Sequence, residues 1–235
     1  MPYLFDPLYL LFVAPAFLLA LIAQAMVRSA YSQMSRVRAS MTGYHAARRI
    51  LDANGLHDVA IEQVPGELSD HYDPSHRVLR LSPGVYGVNS MAAVGIAAHE
   101  AGHALQHARN YAPLVIRNMA VAGANFGSSL GVILIMIGMV MTLSMVPIGR
   151  YVFLLGIVLF SGVVVFQVVN LPVEFDASSR AKSELINLGI VSGPEIHYVS
   201  KVLNAAALTY VAATLQAVLT LAYYIFRYMQ ATDRE

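Results

Sequence analysis

Residues 93–111 read AVGIAAHEAGHALQHARNY, which places a glutamate and three histidines inside an alanine-rich segment with the composition of a packed helix. His99, His103 and His107 fall at i, i+4 and i+8, so a helix aligns them along one face, with Glu100 one step round from it. Imidazoles stacked in this way are poor core material unless something binds them, and a metal ion is the simplest partner. The chain has no cysteine, so disulfides and thiolate ligands are excluded and any metal must be held by His, Asp or Glu.

Outward from that segment the chain is unusually apolar. Only 12% of its 235 residues are charged and 57% are hydrophobic, whereas soluble domains carry roughly 25% charged residues. Such a surface suits lipid. A net charge of +1 and the lack of a basic run with interleaved aromatics exclude a nucleic-acid partner. Four apolar runs approach or exceed the about 20 residues a spanning helix needs. They are Tyr3–Val27, the uncharged stretch Asn118–Gly149 around GVILIMIGMVMTLSMV, Tyr151–Val169 and Asn204–Phe226. The first lacks a basic leading region and a small-residue cleavage site, so a retained anchor is expected, begun or kinked near Pro7 and Pro15.

Two polar stretches alternate with these runs, giving an expected organisation in five parts. Residues 1–28 form an N-terminal transmembrane anchor, and 29–117 a polar part with a small sheet and the histidine helix. Residues 118–171 form a transmembrane hairpin, 172–203 a helical segment, and 204–235 a C-terminal transmembrane helix and tail. A hairpin puts both polar stretches on one side of the membrane. That side holds twelve basic residues, nine between Arg28 and Arg117 plus Arg180, Lys182 and Lys201, against Arg150, Arg227 and Arg234 on the other. The excess predicts a multi-pass cell-membrane protein with its polar parts in the cytoplasm and both termini outside. Within the larger polar stretch, SRVRASMTGYHAARRILDANG (35–55) has helical spacing. VAIEQV (59–64) and RVLRL (77–81) alternate like strands, YDPSH (72–76) is turn chemistry, and Asn89 or Ser90 suits a helix cap. Pro172 suits a helix start, and Gly189 a helix end. The expected fold is a mainly α integral membrane protein of about four transmembrane helices, with the histidine helix and a small β-sheet on the cytoplasmic side.

His99-Glu100-Ala101-Gly102-His103 matches H-E-x-x-H, a metalloprotease helix pattern. Two imidazoles one turn apart can reach one zinc ion about 2 Å away, and the glutamate between them is displaced toward the water such a site activates. A hydrolytic site needs a third protein ligand. His107 lies a further turn along and would need a bend in the helix to share the ion. Glu174, in LPVEFDASSRA, is the better candidate, although a glutamate in a first helical turn also serves as a dipole complement.

Several motifs together carry a resemblance. AAHEAGHALQHA (97–108), DHYDP (70–74), LPVEFDAS (171–178) and LNAAALTYVAA (203–213) resemble the YugP-like bacterial membrane zinc metallopeptidases over nearly the whole chain. EFDAS is similar to the EFxAD segment of the broader membrane gluzincins. The resemblance implies a zincin-like fold, Zn²⁺ as cofactor, and Glu174 as third ligand beside His99 and His103. Ser178 stands where the broader pattern has an aspartate, so no carboxylate carries over there, and Asp176 is left as a substitute.

Together these readings predict a membrane-embedded zinc endopeptidase that hydrolyses membrane or membrane-proximal proteins at the cytoplasmic face, with Glu100 activating a zinc-bound water. Its expected partners are a protein or peptide substrate, the bilayer, and membrane proteins or further copies of the chain. Tyr72, His71, His197 and Tyr210 are candidates to stabilise the oxyanion. Strand 77–81 is expected to offer an edge to an extended peptide. The cluster His71, Tyr72, Asp73 and His76 reads either as a turn or as a second metal group. An intramembrane protease of the site-2 kind lacks its N-P-D-G-like segment here, and Arg80 and Arg109 bracket the histidine helix too closely for a span. A non-catalytic, metal-stabilised membrane scaffold is the alternative function.

Overall fold

The structure, a computed structural model, describes residues 6–232. Residues 3–5 of the first apolar run, and the tail with Arg234, lie outside the described residues. Helix α1 (Pro7–Met34) is followed by α2 (Gly43–Ala53), strands β1 (Ala60–Gln63), β2 (His71–Asp73) and β3 (Val78–Leu81), and a single turn, α3 (Pro83–Tyr86). The histidine segment is α4 (Met91–Ala108). Helix α5 (Ala112–Phe126) passes through a π-helical turn at Gly127–Gly131 into α6 (Val132–Leu143). Helix α7 (Gly149–Asn187) and α8 (Ile196–Thr232) complete the chain. The protein is thus mainly helical. Four stretches are long and apolar enough to cross a membrane: Pro7–Met34, Ala112–Leu143, Gly149–Asn187 and Gly193–Thr232.

The chain divides into two compact units. The first comprises Met1–Leu21, Ile116–Leu171 and Tyr210–Glu235. Its hairpin closes on glycines: a Cβ at Gly127 would lie 2.3 Å from the carbonyl oxygen of Leu159, and one at Gly138 would lie 2.2 Å from the amide of Phe153. Where lipid surrounds helices, such small residues let backbones approach and replace the hydrophobic drive that water supplies elsewhere. Ile135, Met139, Phe153, Ile157 and Phe160 fill the interior of this unit. Leu11, Phe17, Ile133 and Val158 point outward, as hydrocarbon allows. Asp6 accepts a hydrogen bond from the Tyr223 hydroxyl at 2.6 Å and pairs with Arg227 at 2.9 Å, tying the start of α1 to the end of α8.

The second unit comprises Ile22–Val115 and Pro172–Thr209. Its centre is α4, which is buried on nearly all sides. Ala93, Val94, Ala97, Ala98 and Ala101 are fully enclosed, since small side chains let neighbouring elements close in from every direction. Ser90 caps this helix by accepting the Ala93 N–H. Helix α2 packs on it through Ala46, Ala47, Ile50 and Leu51, and the sheet through Leu79 and Leu81.

Four local expectations are corrected. Residues 35–42 are not helical: Met91 N–H donates to Val37 O and Ala39 N–H to Asn89 O, so this stretch pairs with the segment leading into α4. Thr42 then starts α2 by accepting the His45 N–H. The segment DHYDP contains a strand, β2, which is too short for alternation to reveal. The sheet order is β1-β3-β2, with β1 parallel and β2 antiparallel to β3. Strand 77–81 is therefore central, with both edges paired, and offers no edge to a peptide; the free edges belong to β1 and β2. Finally, Pro172 lies inside α7 rather than at a helix start. A mid-helix proline costs about 3 kcal/mol, and burial of Val173, Ala177 and Leu185 just beyond it offsets that cost.

Candidate metal centre

Within the second unit α7 lies against α4 at Gly102, where an added Cβ would stand 2.6 Å from Ala177 O. Backbone contact at this point carries Glu174, one turn before Ser178, to the face of α4 that bears the histidines. The Glu174 Oε2 atom is 3.2 Å from His99 Nε2 and 3.6 Å from His103 Nε2. The two imidazoles stand edge to face with centroids 4.7 Å apart. Among the described residues His99, His103 and Glu174 form the one group of three whose donor atoms, all within 4.8 Å of one another, could hold a metal. Two ligands at 2.0–2.2 Å from a tetrahedral zinc lie about 3.3–3.6 Å apart, so the spacing suits the ion.

The ring orientations suit it as well. Gln106 is completely buried, and its Nε2 donates to Val173 O at 2.7 Å and to Asp176 Oδ2 at 2.8 Å. Both partners only accept, which leaves Gln106 Oε1 to accept from His103 Nδ1 at 2.9 Å. His103 therefore carries its proton on Nδ1 when neutral, and its Nε2 lone pair faces Glu174. His99 Nδ1 lies 3.1 Å from Ser178 Oγ, so its Nε2 is turned the same way. Outer partners of this kind fix the tautomer and plane of metal-binding histidines. The hydroxyl of Ser178 thus stands on His99 where the broader pattern has a carboxylate. Asp176 instead reaches across to α4, accepting from Gln106, and bonds Arg180, whose guanidinium lies over the Tyr111 ring. Sequence reasoning missed Gln106, although its spacing, three residues after His103, puts a polar side chain on the histidine face of an alanine-rich helix.

Burial pushes His103 toward the neutral form, but the Glu174 hydrogen bond and the charges of Glu100 and Glu174 prevail and raise its pKa. The two carboxylates thus favour positive charge on this imidazole. Glu100 is buried beside the site, and its Oε2 accepts the Tyr72 N–H at 3.1 Å. His107 does not join the other two histidines; its Nδ1 is 2.9 Å from the Tyr72 hydroxyl. The cluster around Asp73 joins strand β2 to the turn that follows it, and among the described residues it is not a group whose donor atoms could hold a metal. Asp73 Oδ1 accepts the N–H groups of Ser75 and His76, and Oδ2 meets Arg80 at 2.8 Å and His76 at 2.7 Å. These donors hold the Asp73 carboxyl below the usual range, the Arg80 bond first among them. His71 and His197 are exposed and bond the carbonyls of Ser69 and Pro194.

Comparison with known proteins places this site in context. Residues 9–229 match the family described as "Putative neutral zinc metallopeptidase". The chain is 46% identical over 213 residues to "Putative membrane protease YugP" of Bacillus subtilis (strain 168), covering 90% of this chain and 92% of that one. No solved structure matches the chain.

Proposed function

Because the chain belongs to this zinc metallopeptidase family, we propose that it is a membrane-embedded endopeptidase cleaving membrane or membrane-proximal proteins at the cytoplasmic face. The observation that carries this reading is the approach of Glu174 Oε2 to the Nε2 atoms of His99 and His103, at 3.2 and 3.6 Å, with Glu100 buried on the same helix. His99 and His103 would hold zinc through Nε2, and Glu174 through its carboxylate. Zinc, when bound, supplies Lewis acidity that lowers the pKa of water from 15.7 to about 7 and polarises a carbonyl. Glu100 takes a proton from the attacking water on its carboxylate and delivers it to the nitrogen of the departing amine. Gln106 keeps the His103 imidazole in the tautomer that leaves Nε2 free, and Ser178 orients the His99 ring the same way. Side-chain exposures of 14% and 13% at His99 and His103, against 6% at Glu174, put the group's contact with solvent on the imidazole side. A purely structural zinc is normally enclosed by four protein ligands; among the described residues three converge.

The test is zinc analysis of the detergent-purified protein alongside cleavage of an unfolded protein substrate. One zinc per chain is expected, with hydrolysis abolished by a chelator and restored by zinc. Zinc binding without hydrolysis, in detergent or in liposomes, would favour the metal-stabilised scaffold. Sidedness has its own measurement. The chain has no cysteine, so a single one introduced at exposed Ser75 reports the side of the polar unit. Labelling by an impermeant maleimide only after the cells are opened is expected; labelling of intact cells would reverse the orientation.

A further inference from the structure

We propose that Tyr72 is a positioning residue for Glu100, acting as a two-point clamp between strand β2 and helix α4; the inference rests on the peptidase reading above. Strand β2 is a three-residue edge strand, so its ladder to β3 holds it weakly. Side chains do the rest. Asp70 accepts the N–H and hydroxyl of Ser82, and Asp73 closes the turn toward β3 and pairs with Arg80. Both fasten β2 to β3.

Tyr72 fastens the same strand to α4. Its main-chain N–H points away from the ladder and donates to Glu100 Oε2 at 3.1 Å. Its phenol reaches His107, with oxygen and Nδ1 2.9 Å apart and the rings 5.8 Å apart. Glu100 and His107 are two helical turns apart, a separation of about 10 Å along the axis. One residue is thus held at two well-separated points of the helix, which fixes both the height and the tilt of β2 over Glu100. The bond to Glu100 is charge-assisted, short-range and directional. It occupies Oε2 and leaves Oε1 to carry the transferred proton. The third histidine of the helix thereby acquires a role that is not metal binding, and the segment 70–74 a role that is not a second metal group.

A side-chain substitution cannot remove the main-chain donor, so the phenol–imidazole contact is where the clamp can be opened. In the zinc-loaded full chain in detergent, Tyr72→Phe and His107→Ala are each expected to lower kcat roughly fivefold to tenfold, with KM and zinc content close to the parent. Combining them should add little, because both break one contact. His107→Gln, whose amide can still bond the phenol, should restore most of kcat. A second readout does not depend on catalysis: amide hydrogen exchange of residues 70–74 should accelerate in Tyr72→Phe and His107→Ala, and not in His107→Gln. Unchanged kcat and exchange in Tyr72→Phe would overturn the clamp. So would His107→Gln behaving like His107→Ala, or a loss carried by KM, which would put the phenol on the substrate. If even the parent cleaves nothing, the peptidase reading falls while the exchange rates still decide the clamp.

Discussion

Glu100→Gln is expected to keep its zinc and lose peptide hydrolysis by a factor of about 10²–10⁴, equivalent to about 3–5 kcal/mol of transition-state stabilisation. The two side chains are nearly the same size, and the amide oxygen can still accept the Tyr72 N–H that Glu100 Oε2 accepts. An amide cannot take a proton from water near neutrality, so the general base is removed with little else. Glu100 is not among the three residues whose donors converge, which is why zinc content should not change. Metal analysis and cleavage rates on the same preparation check both halves. Cleavage by the variant at the parent's rate would place the base elsewhere, and loss of zinc would make Glu100 a ligand.

Gly102→Ala is the second large effect, and it acts without touching a functional group. The new methyl would stand 2.6 Å from Ala177 O and 3.2 Å from Ala177 Cα. Both are backbone atoms of α7 and cannot rotate aside. The helices must separate by several tenths of an ångström, and overpacking of this kind typically costs about 1–3 kcal/mol. Glu174 sits on α7 three residues before the collision, while His99 and His103 sit on α4 on either side of it. The separation therefore falls directly on the 3.2 and 3.6 Å spacings that make the group able to share an ion. Weaker zinc binding, a lower melting temperature and at least tenfold slower hydrolysis are expected, since a misplacement of about 1 Å can cost 10²-fold. A Gly102→Ala protein with the parent's zinc affinity would show that the helix contact does not set the site.

Much of the candidate site was legible because it is local. The four-residue spacing of His99 and His103 is the pitch of a helix, and Ser90 at its start caps it as its residue type suggests. Glu174 is legible from its place just beyond the third apolar run, and the resemblance of LPVEFDAS strengthens it; no periodicity shows its approach to His99, which links residues 75 apart in the chain. Gln106 was overlooked because a single glutamine on an apolar helix ordinarily reads as a tolerated polar residue. Its meaning depends on Val173 and Asp176, 67 and 70 residues away. Local signals also misled. Pro172 reads as a helix start, yet it lies inside α7, with Val173, Ala177 and Leu185 buried after it.

By itself the sequence determined the apolar spans, the histidine helix and its cap, and the absence of thiolate chemistry, because composition and short-range periodicity act through neighbouring residues. The tertiary structure alone decided that β3 is the central strand and that Tyr72 meets both Glu100 and His107. It also decided that backbone contact at Gly102 brings Glu174 to the imidazoles. Those outcomes depend on which distant surfaces fit together at van der Waals distance, and no local pattern along the chain encodes such a fit.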